Sequence, residues 1–243
     1  MRRSHAPLPL LVASLAGCLP YTVGTTARTV ERGETTRTVS HYFIPNAVAV
    51  FDDSVSNPLY GVDAEARFGI DERSDVGVRL TSGSGVVVNY KRRLDPFDRP
   101  EEAGLAFVTG AGVVNWGSHA HLEATLLASG HDSDRATVYG GLRVMQVIPI
   151  SRGAVHDSPT AGGFLGVRIG SADRGISPEL GIFYDRSALD IRRGTVIFVP
   201  AISLHGDVLR ALYGRDEGDE EPPRPRPRVR RPLPRSPGWP PRS

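Results

Sequence analysis

The chain has 243 residues, a mass of 26.2 kDa and a pI of 8.9, enough for one domain with a sizeable core and appendages. Its basicity lies at the ends: Arg2 and Arg3 open the chain, eight arginines fall between Arg215 and Arg242, and residues 18–214 carry 19 bases against 22 acids. That distribution argues against a basic nucleic-acid-binding domain, whose footprint is a stripe on the folded body, and the 27 glycines with 7% aromatics argue against a helical bundle.

Residues 1–18 read MRRSHAPLPLLVASLAGC: a cationic start, a short apolar stretch from Leu8 to Ala16, and small residues before Cys18. This is the layout of a secretory signal, too short and too proline-broken for a transmembrane helix. Leu15-Ala16-Gly17-Cys18 resembles the bacterial lipobox, and Cys18 is the only cysteine. The resemblance implies that the Cys18 thiol takes a diacylglyceryl group, that residues 1–17 are removed, and that the new amino terminus is acylated. Membrane lipid is then a partner, since each buried CH₂ of an acyl chain contributes about 0.8 kcal/mol. By analogy with enteric lipoproteins, Leu19 after the cysteine points to the outer membrane. Residues 18–34 are expected to form a lipid-anchored linker.

From about residue 35 to 205 the chain alternates, and no segment sustains the i, i+3, i+4, i+7 pattern of a helix. A first strand is expected near Thr35 to Phe43. Val62, Ala64, Ala66, Phe68 and Ile70 then face one way, and Asp63, Glu65, Arg67 and Gly69 the other. The scheme repeats with Val76, Val78 and Leu80 against Asp75, Gly77 and Arg79, and with Val86, Val88 and Tyr90 against Val87, Asn89, Lys91 and Arg93. Gly104 to Val114 and Ala136 to Ile148, the latter with Arg143, are richer in glycine but fit. Between them Leu122, Ala124, Leu126 and Ala128 oppose Glu123 and Thr125. Later runs set Leu165, Val167 and Ile169 against Arg168, and Leu180, Ile182 and Tyr184 against Glu179 and Asp185; a last strand runs near Thr195 to Leu204. Polar turns such as Asp71-Glu72-Arg73-Ser74 join them.

About ten antiparallel strands joined by hairpins close most simply into an all-β, up-and-down barrel over residues 35–205, which leaves no exposed edge. Alternation alone does not say which face is inside. A soluble periplasmic barrel would turn its valines inward and bind a small apolar ligand; a membrane barrel turns them to lipid. Strands of about 8–11 residues suit a tilted membrane span. The polar face mixes signs, with Asp63, Glu65, Glu123, Glu179 and Asp185 against Arg67, Arg79, Lys91, Arg143 and Arg168. Such a set can pair across a narrow lumen, where unpaired charges would cost several kcal/mol each. With an even strand count, both termini are expected on the periplasmic side, and the loops opposite them are longer on average.

Ala27-Arg28-Thr29-Val30-Glu31-Arg32-Gly33-Glu34, followed by Ala66-Arg67-Phe68-Gly69-Ile70-Asp71-Glu72-Arg73-Ser74-Asp75-Val76-Gly77-Val78-Arg79, resembles small outer-membrane β-barrel proteins of GC-rich bacteria. There an ARTL-x-x-GE lead-in precedes R-x-G-[IL]-x-D-R-x-D-[VL]-G-[VL]-R. The resemblance covers roughly residues 27–204 and implies hairpin architecture, with no active site. The chain continues almost forty residues past Leu204 and lacks a terminal aromatic residue.

Candidates for chemistry are few. His119, His121 and Glu123 can share a strand face, but spacing fixes no third strong metal ligand, and no metal or cofactor is expected. Ser118-His119 and His156-Asp157-Ser158 pair serine with histidine outside any nucleophile elbow. Gly83-Ser84-Gly85 leads into a valine strand and reads as a tight turn. No enzymatic activity is expected. Residues 206–243 form an acidic, then Pro/Arg-rich tail, RDEGDEEPPRPRPRVRRPLPRSPGWPPRS from residue 215, expected to be disordered and extended. It is suited to touching anionic cell wall or lipid headgroups.

Overall fold

The structure, a computed structural model, describes residues 20–44, 48–49, 52–56, 59–82, 84–94, 103–131, 135–150, 159–171, 174–185, 195–206 and 208. The signal segment, Cys18, Gly83, the His156-Asp157-Ser158 triplet and the Pro/Arg-rich tail lie outside the described residues. The barrel belongs to a unit comprising Met1–Tyr213, separate from Gly214–Ser243.

The strands are β1 (Thr35–Ile44), β2 (Val48–Ala49), β3 (Asp52–Ser56), β4 (Leu59–Asp71), β5 (Ser74–Thr81), β6 (Gly85–Arg93), β7 (Gly104–Val114), β8 (His119–Ser129), β9 (Ala136–Pro149), β10 (Thr160–Gly170), β11 (Arg174–Asp185) and β12 (Thr195–Gly206). β2 and β3 pair as a small separate ribbon, which alternation did not foretell. The other ten close into an antiparallel barrel in chain order, with β12 returning to β1. The seam runs from Thr38↔His205 to Tyr42↔Ala201. Hydroxyls stitch it, Ser40 Oγ to Ser203 Oγ at 2.7 Å and Thr38 Oγ1 to His205 Nδ1 at 3.1 Å.

One rim, called proximal here, carries the start of β1, the end of β12 and the hairpin β4–β5. The distal rim carries the end of β1, the β2–β3 ribbon and the β7–β8 turn. That turn places Asn115 and Trp116 at φ 53° and 56° and Gly117 at 80°, a left-handed run that asparagine and glycine accept at little cost.

Alternation resolves to one orientation throughout. Asp63, Arg67, Asp75, Arg79, Lys91, Glu123, Arg143, Arg168 and Glu179 are buried, while Phe68, Val78, Leu80, Leu126, Leu142, Leu165 and Ile182 are exposed on the outer face. Val62, Ala64 and Val76 share that face by strand period. Leu142 and Leu165 are 66% and 62% exposed, whereas Arg143 beside them is 1% exposed. The apolar face of the alternation therefore points out and the charged face points in, the reverse of a soluble barrel.

Ten strands about 4.8 Å apart and tilted about 40° close at a radius of about 10 Å, so large inward side chains need small ones opposite. A Cβ on Gly61 would meet the Tyr42 ring at 2.2 Å, and one on Gly166 the Tyr139 ring at 2.4 Å. Tyr42, Ile44, Val87, Met145, Phe183 and Ile197 form an apolar layer toward the distal rim, and Ala106, Leu127, Tyr139 and Phe164 a second cluster lower down.

The segment before β1 departs from the expectation of a linker. Tyr21, Thr22, Val23, Thr26, Ala27, Thr29 and Val30 are all buried. The Tyr21 ring lies edge-on to Phe183 at 5.4 Å and to Tyr42 at 6.3 Å, near the distal rim, while Thr29 Oγ1 donates to the Glu72 carbonyl in the proximal hairpin. Between these points the chain threads the lumen. It then reverses around Gly33, at φ 83°, bridges Arg32 to Gly69 and enters β1. The described chain thus begins toward one rim and leaves β12 at the other, unlike the expectation of both ends on one side.

Candidate functional site

The site is the lumen and the peptide inside it. On the wall formed by β4, β5 and β6, strand period brings Glu65, Arg67, Asp75, Arg79, Asn89 and Lys91 onto one inner face. Arg67 donates from Nη1 to Glu65 Oε1 and to Asn89 Oδ1, both at 2.7 Å, and from Nε to Asp75 Oδ1 at 2.8 Å, with Nη2 on the same oxygen. Arg79 reaches Glu65 Oε2 at 2.9 Å, and Asn89 Nδ2 donates to Glu65 Oε1 at 2.9 Å. Lys91 Nζ stands 3.3 Å from Asp75 Oδ2. Gly77 makes room for this network: a Cβ there would lie 2.5 Å from Glu65 Oε1 and 2.7 Å from Asn89 Oδ1.

A second group lies on β8 and β9, where Arg143 pairs with Glu123 and His121 Nε2 is 3.1 Å from the same carboxylate. A third is Glu179 on β11, which accepts the Tyr139 hydroxyl at 3.0 Å. Each charge has a polar partner because the interior is too dry to leave it alone.

The peptide at the centre is held by its backbone. Glu179 accepts the amides of Val23 and Gly24, each at 3.0 Å. Arg79 and Arg143 both donate to the Thr22 carbonyl, at 3.1 and 2.6 Å. Lys91 donates to Thr25 Oγ1 and to the carbonyls of Thr26 and Arg28. Asp75 Oδ2 accepts the Val30 amide at 2.9 Å, and Arg168 donates to Thr26 Oγ1 at 3.1 Å. The ladder bonds an extended segment normally needs are supplied here by charged side chains, which form stronger hydrogen bonds than neutral partners.

Of the ten charges expected to pair across the lumen, Glu65, Arg67, Arg79 and Lys91 join the first group, and Glu123 with Arg143 the second. Glu179 and Arg168 bind the peptide. Asp63 is buried and accepts Thr22 Oγ1 at 3.4 Å, with its other oxygen unpartnered. Asp185 ends β11 opposite Thr195; its side chain lies outside the described residues. Sequence reasoning missed Asp75, Asn89 and Tyr139 as network members, although Asp75 and Asn89 lie on the face that alternation assigned to Arg79 and Lys91. It missed the peptide altogether.

The other candidates resolve locally. His119 Nδ1 lies 2.8 Å from Ser118 Oγ and 3.3 Å from Asn115 Nδ2 in the distal turn, where Ser118 Oγ donates to the Asn115 carbonyl at 2.7 Å. His121 meets Glu123 in the lumen while His119 is held in the turn by Ser118 and Asn115, so the three do not converge. Among the described residues no group of three or more His, Cys, Asp or Glu side chains could hold a metal. An unforeseen pair is Ser177 Oγ and His205 Nε2 at 2.8 Å, buried, with the Thr38 hydroxyl on Nδ1 where a catalytic triad would carry a carboxylate.

No family model and no curated protein matches the chain. Among solved structures it is similar to an outer membrane channel from Pseudomonas putida F1, at 10% identity over 74% of this chain and 97% of that one, with a TM-score of 0.36. It is also similar to the outer membrane protein OprG from Pseudomonas aeruginosa, at 8% identity over 75% of this chain and 97% of that one, with a TM-score of 0.32.

Proposed function

We propose that the protein is an integral outer-membrane β-barrel, acylated at Cys18, that serves a structural or interaction role and catalyses no reaction. The observation that carries the reading is the inverted orientation: apolar side chains cover the outer wall and ion pairs fill the inside. In water such a wall would expose far more contiguous apolar surface than a monomeric protein tolerates. In lipid it is the expected solvent-facing side.

The height of that wall supports the same reading. From Tyr60 to Ile70 along β4 there are ten residue steps, about 25 Å along the barrel axis at a tilt of about 40°. Aromatic side chains flank the band, with Phe43, Tyr60, Tyr184 and Phe198 toward the distal rim and Phe68, Tyr90 and Phe107 toward the proximal one. Arg37 and Arg92, on the outer face of β1 and β6, lie close to the proximal rim, where a long side chain reaches headgroups. Of the four longest connections, 45–58, 150–159 and 186–194 join strand ends at the distal rim and 94–103 joins them at the proximal one, which favours the distal rim as the cell exterior and the proximal rim as the periplasmic side.

The soluble alternative, a periplasmic barrel with an apolar ligand inside, lacks its apolar chamber: the middle of the lumen is charged and already filled by residues 21–30. Fractionation tests the proposal. The native chain is expected in the outer-membrane fraction, extracted by detergent but not by carbonate, and to migrate faster unheated than boiled. Recovery in the soluble periplasmic fraction after Cys18→Ala would contradict the integral barrel.

A further inference from the structure

The course of the lumen peptide fixes where the N-terminus emerges. Tyr21 packs on Tyr42 and Phe183, each two residues from the distal end of its strand. Two residues of a strand tilted about 40° amount to about 5 Å of axial depth below the distal rim. Downstream, the contacts descend in order: Thr22 to Arg143, Val23 and Gly24 to Glu179, Thr26 to Arg168, Ala27 to Ser129 Oγ, and Val30 to Asp75 beside the proximal hairpin. The direction is therefore from distal to proximal, and the ten residues from Tyr21 to Val30 run from just below the distal rim to the proximal hairpin.

Cys18 precedes Tyr21 by three residues, at most about 10 Å of extended chain. That is enough to clear the distal rim. It is too short to return to the proximal rim, about 18 Å away along the seven strand steps from Tyr42 to Thr35 and through a lumen the peptide already occupies.

We infer that the N-terminus leaves the barrel at the distal rim, so that the acyl group on Cys18 inserts into the leaflet on that side, opposite the rim where β12 ends. The inference rests on the acylated outer-membrane barrel proposed above, in which the distal rim faces outward. The barrel is then a conduit for its own anchor. Acyl chains enter the outer leaflet over the rim that carries the long loops, and the anchor and the wall grip the membrane together.

The test uses the full chain in cells, in three versions with one epitope each: after Leu19, within 151–158, and at the C-terminus. Antibody should reach the first two on intact cells and the third only after permeabilisation. An epitope after Leu19 that needs permeabilisation while the 151–158 epitope does not would overturn the inference. If both need permeabilisation and the C-terminal one does not, the outer-leaflet assignment is overturned. Labelling with an alkyne palmitate, cut out by Cys18→Ala, separates the two readings: no label with the expected epitope pattern removes the acyl group but leaves the threading. A second variant needs no insertion. A Cβ on Gly24, which sits at φ 57°, would lie 3.3 Å from Ser203 Cβ, just under the roughly 3.5–4.5 Å of a disulfide, so with a small local adjustment Gly24→Cys with Ser203→Cys should give an oxidised, faster-migrating band. No oxidised band from a heat-modifiable double variant would contradict threading.

Discussion

Asp75 is fully buried and binds three groups: the Arg67 guanidinium, the Lys91 ammonium at 3.3 Å and the Val30 amide at 2.9 Å. Asp75→Asn keeps the volume but leaves two cations facing each other across a neutral amide. Breaking one partner of such a buried set costs about 3–5 kcal/mol. The expected outcome is a lower urea midpoint for loss of the fast-migrating folded band, whereas Phe107→Leu on the outer wall, a nearly volume-conserving apolar change, should move it little. Asp75 was legible as a member of the polar face from Val76, Val78 and Leu80 around it. Its partners were not, because pairing depends on how β4, β5 and β6 register across strands, Glu65↔Arg79 and Asp75↔Lys91 among them.

Among elements, the lumen peptide matters most for what the barrel can pass. Removing residues 20–30 would strip Glu179 of two amides and Lys91 of three oxygens, and open a polar path along the axis. In planar bilayers the native chain is expected near background conductance and the deletion to give resolvable channel steps. Glu179→Gln should fall between them, with brief openings, since one neutral amide replaces a carboxylate that holds two consecutive N–H groups. Equal conductance of native chain and deletion would mean that the peptide does not close the pore. The barrel strands were readable because alternation persists for 8–14 residues in each, whereas β2 and β3, of two and five residues, are too short to show it. The peptide was not: Tyr21-Thr22-Val23-Gly24-Thr25-Thr26-Ala27 has no period, and its burial is imposed by the wall around it. The lead-in from Ala27 to Glu34, legible only as a motif, turns out to be the exit from the lumen and the reversal into β1.

At the scale of the whole molecule, charge separates into a paired lumen, a nearly charge-free outer band and an arginine-rich tail. If the tail touches anionic cell wall, deleting residues 215–243 should abolish retention on purified cell wall at low salt, and salt should do the same to the full chain. Retention unchanged by the deletion would exclude that role. The closed ten-strand barrel followed from strand count and turn chemistry, but its inside and outside did not, because a period of two is symmetric between the faces and only packing in three dimensions breaks the tie.

Whether the apolar wall faces lipid can be read from the fluorescence of a single tryptophan placed on it. Trp116 and Trp239 are replaced by phenylalanine, a single tryptophan is placed at Leu142 on the outer wall, and the protein is reconstituted into bilayers. Bilayers brominated along the acyl chains should quench its fluorescence strongly, while aqueous iodide should not. Quenching by iodide with no effect of brominated lipid would put the apolar wall in water and contradict the membrane barrel.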